Sequence, residues 1–232
     1  MKISLVVPAH NEEENILDLL NKIENTLKLD HELIVVDDHS TDKTPELVRQ
    51  AMRQHQNIRL VQNALESGFA NAIKAGFSAV STDVVVPIMG DLCDDLSTIP
   101  LMLEKITQGY DVVCGSRYIK GGSRLGGSGI KGFLSGLGGK SLHSLLGFPS
   151  SDISNAFKMY RKKVIETIKI DSTGFEVSME IPLKAFFTGF KITEVPTVWR
   201  ERSKGKSSFK IFKLLPSYLK LYFWAIMRKF KK

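Results

Sequence analysis

The chain has 232 residues, 43% of them hydrophobic and 25% charged, enough apolar material to bury the core of one large domain and too much for a disordered chain. Its two cysteines, Cys93 and Cys114, lie outside any C-x-x-C or Cys/His spacing, which argues against a structural zinc or a disulfide scaffold and points to a reducing compartment. The net charge of +7 is concentrated at the end: from Trp199 onward there are 11 Lys or Arg against one acid, Glu201, whereas the first 198 residues carry 21 basic and 24 acidic groups.

Residues 2–7 are predicted as the first strand, and the acidic run Glu12, Glu13 and Glu14 behind it is not one a cleavable secretory leader carries. Residues 12–27 place Ile16, Leu19, Leu20, Ile23 and Leu27 on one face at helical spacing. A strand follows at 32–36 and a helix at 41–54, with Ser40 or Thr41 as N-cap and Pro45 in its first turn. The pattern repeats with a strand at 58–62, a helix at 67–80, a continuous apolar strand at 83–88, a helix at 97–107 and a strand at 111–114. Such alternation predicts an α/β fold around a mostly parallel, doubly wound sheet.

Residues 120–139 are rich in Gly and Ser, with Arg124 and Lys131 interspersed, and read equally as a functional loop or a linker. A helix at 177–187 and a strand at 191–195 complete the domain, assigned to residues 1–208. No apolar run approaches the ~20 residues of a spanning helix. Residues 209–232 mix aromatic and aliphatic groups with Lys and Arg, the composition of an in-plane helix at a membrane surface, broken or kinked at Pro216. The plain alternative is a C-terminal helix packed on the core. Nothing in this basic tail has the spacing of a nucleic-acid recognition motif, so nucleic acid is not expected as a partner.

In doubly wound sheets ligands bind beyond the carboxyl ends of the strands. Four segments fall there: Pro8-Ala9-His10-Asn11-Glu12-Glu13, Asp37-Asp38-His39-Ser40-Thr41-Asp42, Met89-Gly90-Asp91-Leu92-Cys93-Asp94-Asp95 and Gly115-Ser116-Arg117-Tyr118. Carboxylates in such places accept hydrogen bonds from base and ribose or hold a divalent cation, and an arginine fork suits phosphate oxygens. Taken singly, each segment also reads as helix caps and loop decoration.

The strings Val6-Val7-Pro8-Ala9-His10-Asn11-Glu12-Glu13 and Ile34-Val35-Val36-Asp37-Asp38-His39-Ser40-Thr41-Asp42 resemble the opening of family-2 glycosyltransferases with a Rossmann-like GT-A fold. Gly115-Ser116-Arg117-Tyr118, the segment from Asp152 to Arg161 and the late segment from Glu194 to Phe209 are similar to the dolichol-phosphate mannose synthase branch. The resemblance implies that Pro8, Ala9, His10, Glu12, Asp37, Asp38, Ser40, Gly68, Met89 and Gly90 bind a nucleotide-diphosphate sugar, GDP- or UDP-linked. It places Asp91 at the diphosphate as a ligand of Mg²⁺ or Mn²⁺. Arg117 and Arg202 would meet phosphates and, with Asp91, carry catalysis; Arg124, Lys131 and Lys206 would join them at the acceptor phosphate.

Two departures stand out. The family's Asp-x-Asp, with Gln two residues on, is replaced by Met89-Gly90-Asp91-Leu92-Cys93, which leaves one hard ligand beside two soft sulfurs. Asp94, Asp95, the diphosphate or water would have to complete a cation's shell. Ser208 replaces a lysine of the branch, with Lys206 or Lys210 as substitute.

The implied activity is inverting transfer of a hexose to polyprenyl phosphate by a cytoplasmic, peripheral enzyme at the cytosolic membrane face. A separate membrane protein subunit is a further expected partner. A lipid phosphate is already anionic and needs positioning and charge neutralisation more than a base. Accordingly His10 and His39 read as binding or loop residues. Two alternatives stay open: a polysaccharide, glycolipid or protein acceptor, which would need Asp94, Asp95 or Asp152 as base, and a catalytically silent nucleotide-sugar-binding scaffold.

Overall fold

The computed structural model describes residues 1–202 and 211–231. In chain order the elements are β1 (Ile3–Ala9), α1 (Ile16–Thr26), β2 (His31–Asp37), α2 (Thr44–Met52), β3 (Ile58–Gln62), α3 (Phe69–Ser78), β4 (Val84–Pro87), a short 3₁₀ turn (Leu96–Thr98) and α4 (Ile99–Thr107). They continue with β5 (Val112–Ser116), β6 (Ser123–Leu125), α5 (Gly129–Leu146), β7 (Lys158–Arg161), α6 (Lys162–Thr167), α7 (Val177–Thr188), β8 (Ile192–Pro196), β9 (Val198–Arg200) and α8 (Ile211–Phe230).

Seven strands form one sheet in the order β3-β2-β1-β4-β7-β5-β8, and β6 pairs with β9 in a parallel two-stranded ribbon. Only β7 runs against its neighbours in the main sheet. The alternation of strand residues decides which helices cover which face. Ile3, Leu5, Val7, Leu33 and Val35 pack under α1, α2 and α4, whereas Val6, Ile34 and Val36 meet α3, with α5, α7 and Ala225 of α8 in the same cluster. On that second face Gly76 lets α3 press onto the sheet: a Cβ there would lie 2.3 Å from Val6 Cγ1.

The Gly/Ser-rich stretch is neither loop nor linker but β6 followed by the 18-residue helix α5. Its glycines are poor helix formers, yet Gly136 and Gly139 are buried, so close packing offsets the propensity. The tail is not divided into two helices at Pro216. It is a single helix, with Pro216 in its second turn, where only a bond to a first-turn carbonyl is lost. One face of α8 packs against α5 and α7, burying Ala225, while Leu219, Phe223, Met227 and Phe230 are exposed. α8 thus carries one packed face and one exposed apolar face. Lys206, Ser208 and Lys210 lie outside the described residues.

Candidate active site

The parallel strands end on one edge of the sheet, and the loops after β1 and β2 are stitched together there. Asn11 N–H donates to Ser40 Oγ at 3.1 Å, Thr41 N–H to Asn11 Oδ1 at 2.8 Å, Glu12 N–H to Thr44 Oγ1 at 2.9 Å and Glu13 N–H to Asp42 Oδ2 at 3.1 Å. Asp37 is buried and turns Oδ1 onto the Ser40 N–H at 3.1 Å. Asp37 and Ser40, expected to touch the donor, instead build the rim and do not line the opening.

Asp38 organises the next layer. Its Oδ1 accepts Asn63 Nδ2 at 2.6 Å and its Oδ2 accepts the Gly68 N–H at 2.9 Å, while His10 Nδ1 donates to its carbonyl at 2.6 Å. These bonds draw Pro8, Ala9, His10, Asp38 and Gly68 to one end of a cleft of about 1270 Å³. Met89, Gly90 and Asp91 line the same region, with the Glu12 side chain over Gly90, where a Cβ would approach it to 3.4 Å. His39 does not line the cleft; its Nε2 donates to the Leu65 carbonyl at 2.8 Å.

In the middle of the cleft Arg117 is gripped by Asp152, a residue the sequence offered only as a possible base. Arg117 Nε donates to Asp152 Oδ2 at 2.7 Å, Nη2 to Oδ1 at 2.8 Å, and the Arg117 N–H to Oδ2 at 2.9 Å. Burial opposes charge on Arg117, but the Asp152 carboxylate outweighs it and keeps the guanidinium protonated. With its side chain fully buried and both oxygens engaged, Asp152 is not placed to act as a base. Nη2 also donates to Ser135 Oγ at 3.1 Å, which in turn lies 2.6 Å from Ser154 Oγ.

Beneath this point the loop at 153–155 rests on Lys158 of β7, whose Nζ is wholly buried and donates to the carbonyls of Ile153, Asn155 and Ser178. Farther along the cleft Arg124 stacks on Trp199, 4.8 Å from the ring centre, and Lys131 stands on α5. The far wall is apolar and aromatic, made by Leu134 of α5 and by Leu214, Leu215, Tyr218 and Leu219 of α8.

Asp91, expected as a cation ligand, has both side-chain oxygens engaged by protein groups. Asp91 Oδ2 is bound by Arg202 Nη2 at 2.8 Å, and Oδ1 accepts the Cys93 N–H at 3.2 Å. Burial and the adjacent Asp91 push the Cys93 thiol upward, so it stays neutral, and Met89 offers a thioether. Asp95 caps the 3₁₀ turn through Ser97. Asp94 lines the cleft, but burial, then the charge of Asp91, raises its carboxyl to about 7. Among the described residues no three His, Cys, Asp or Glu side chains are grouped to hold a metal ion. This donor set does not fit a hard divalent cation.

The fold is of the GT-A type. It superposes with a TM-score of 0.71 on glucosyl-3-phosphoglycerate synthase from Mycobacterium tuberculosis, solved with Mn²⁺, UDP and glucosyl-3-phosphoglycerate, over 98% of this chain and 79% of that one. At 19% identity this likeness speaks for the fold alone. Residues 4–169 match the model of glycosyl transferase family 2, and the chain belongs to that family. It is 32% identical to a dolichol-phosphate mannosyltransferase from Pyrococcus furiosus over 97% of this chain, and spans 64% of that protein's length. It is 26% identical to a polyprenol monophosphomannose synthase from Mycolicibacterium smegmatis, over 96% of this chain and 86% of that protein.

Proposed function

We propose that the protein moves a hexose from a GDP- or UDP-linked sugar to polyprenyl phosphate, with inversion, at the cytosolic face of a membrane. One observation carries the reading: a single cleft is lined by His10 and Asp38, by Arg117, Arg124 and Lys131, and by an apolar wall on α5 and α8. A donor needs the first pair, an anionic acceptor needs the cations, and a long hydrocarbon chain needs the wall. The names of the Pyrococcus and Mycolicibacterium relatives support a polyprenyl phosphate acceptor.

The acceptor phosphate is ionised at neutral pH, so no proton has to be removed. One of its oxygens attacks the anomeric carbon, the bond from that carbon to the diphosphate oxygen breaks, and the nucleoside diphosphate leaves with the bonding electrons. Arg117, locked by Asp152, presents a fixed guanidinium at the junction, and Arg124, stacked on Trp199, and Lys131 add positive charge along the same cleft. Among the described residues no ligand set matches the cation bound by the solved neighbours. Among the described residues no helix is long and apolar enough to cross a membrane, so the exposed side of α8 would hold the enzyme peripherally, alone or with a membrane subunit.

The test supplies labelled GDP- and UDP-hexoses with polyprenyl phosphate or with the matching polyprenol, followed by organic extraction. Label should enter the lipid phase with the phosphate only, and the product should carry the inverted anomer. Transfer to polyprenol, or to neither lipid, would count against the reading, and a retained anomer against the displacement. Asp94 is the carboxyl that keeps a hydroxyl acceptor in view, because it alone of the three candidate bases lines the cleft.

A further inference from the structure

Met89 and Cys93 stand where the family's resemblance calls for an acid and an amide, and the structure fills the space differently. Arg202 reaches the remaining carboxylate, Asp91, at 2.8 Å, and both side chains are largely shielded, at 18% and 14% exposure. The approach is built into the backbone. Arg200 N–H donates to the Cys93 carbonyl at 3.0 Å, and Asp94 and Trp199 form an antiparallel bridge, so the segment carrying Arg202 is fastened to the loop carrying Asp91. A surface ion pair between unconnected side chains would be worth little; this one is held from both sides.

Charge argues in the same direction. Two carboxylates and a divalent cation sum to zero, and so do one carboxylate and one guanidinium. The Asp91–Arg202 pair is therefore already neutral, and a cation placed on Asp91 would confront the Arg202 guanidinium. A planar guanidinium fork held in place by Asp91 is suited to phosphate oxygens.

We infer that Arg202, anchored on Asp91, supplies the counter-charge for the donor diphosphate, and that nucleotide binding proceeds without a protein-held divalent cation. Asp91 is then a positioning residue for Arg202. The inference rests on the glycosyl-donor reading above and adds to it the nature of the group that meets the diphosphate.

Calorimetry on the whole chain, with UDP and GDP as probes in excess EDTA or excess MnCl₂, tests it. The preferred nucleotide should bind with a Kd that differs by no more than about threefold between the two conditions. Arg202→Gln should weaken binding by about tenfold or more in both, with Arg202→Lys intermediate because it keeps the charge but loses the fork. Should Arg202→Gln fail to fold, as judged by thermal melting, Asp91→Asn provides the second variant: binding weakens several-fold and gains no Mn²⁺ dependence. In Met89→Asp/Arg202→Gln, Mn²⁺ should restore affinity, a response that loss of a merely structural contact would not give. Binding to the unmodified chain that tightens about tenfold or more with Mn²⁺, or is unchanged in Arg202→Gln, overturns this inference and leaves the donor reading standing. Failure of both nucleotides to bind under either condition overturns both.

Discussion

Asp94 shows how one buried carboxyl links stability to the work of the cleft. Burial, then repulsion from Asp91, lifts it to about 7, against a bond of 3.3 Å from the Met89 N–H and the positive charges of Arg117 and Lys22. In the unfolded chain the same group titrates near 4. The folded state therefore binds the extra proton between these values, so its contribution to stability is full below about pH 4 and is lost as pH rises through about 7. Three units at roughly 1.4 kcal/mol each set an upper figure of about 4 kcal/mol. Urea denaturation should show the native chain less stable at pH 8 than at pH 5, and Asp94→Asn, which keeps the shape and the acceptor oxygen, should remove most of that difference; an unaltered slope would contradict the assignment. A carboxyl that keeps its proton near neutrality also spares the cleft a negative charge, which would favour the proposed diphosphate donor. The strand-end rule picked out Asp37, Asp38, Asp91 and Arg117 correctly as residues of this edge, but it carries no information about side-chain direction. Asp37 turned to the Ser40 N–H and Arg117 to Asp152 because nearby donors and acceptors competed for them. The grip of Asp152 spans 35 residues and left no local signal in the chain.

Among the elements, those whose hydrophobic period agrees with their structure were legible in the chain: β1 to β5, α1 to α4, α7 and β8 appear within a few residues of expectation. α5 was not, because glycine-rich composition signals a loop when read locally, and β7 was not, because four residues including a buried lysine show no strand pattern. Tertiary contact decides both. Gly139 on α5 faces the loop after it so closely that a Cβ would stand 2.0 Å from the Ser151 carbonyl oxygen, next to the Asp152 that holds Arg117. Gly138, one residue earlier, has no atom within 4 Å of such a Cβ. The two alanine substitutions should therefore differ in sign. Gly138→Ala should stabilise by about 0.5–1 kcal/mol through helix propensity. Gly139→Ala should cost about 1–3 kcal/mol or more through overpacking, and should displace the Arg117 anchor. Denaturation midpoints of the pair measure this directly, and two changes of the same sign would mean that α5 does not pack there as described.

At the scale of the molecule, the excess positive charge and the exposed apolar groups coincide. Leu219, Phe223 and Met227 recur every fourth residue along α8, with Phe230 following, and these four side chains are 43–73% exposed. A period of four keeps them on one stripe, opposite the buried Ala225. α5 adds Ile130, Phe133 and Leu137, all more than half exposed, and the two helices are tied by Tyr222 to Ser141 and by Lys229 to the Leu145 carbonyl. Leu219, and Leu134 at 39% exposure, also line the cleft, so the exposed apolar side chains continue into its apolar wall. Two forces should then act on binding to vesicles. Inserting a large apolar side chain contributes roughly 1.5–3 kcal/mol, while each lysine or arginine near an anionic surface adds about 1 kcal/mol that salt screens. Phe223→Glu/Met227→Glu should reduce sedimentation with vesicles of anionic phospholipid by about tenfold or more and leave nucleotide affinity intact, because neither residue lines the cleft. Raising the salt should weaken the native chain but not abolish its binding, since the apolar share is not screened. Equal sedimentation of native and doubly substituted chains would mean that this stripe faces something other than lipid.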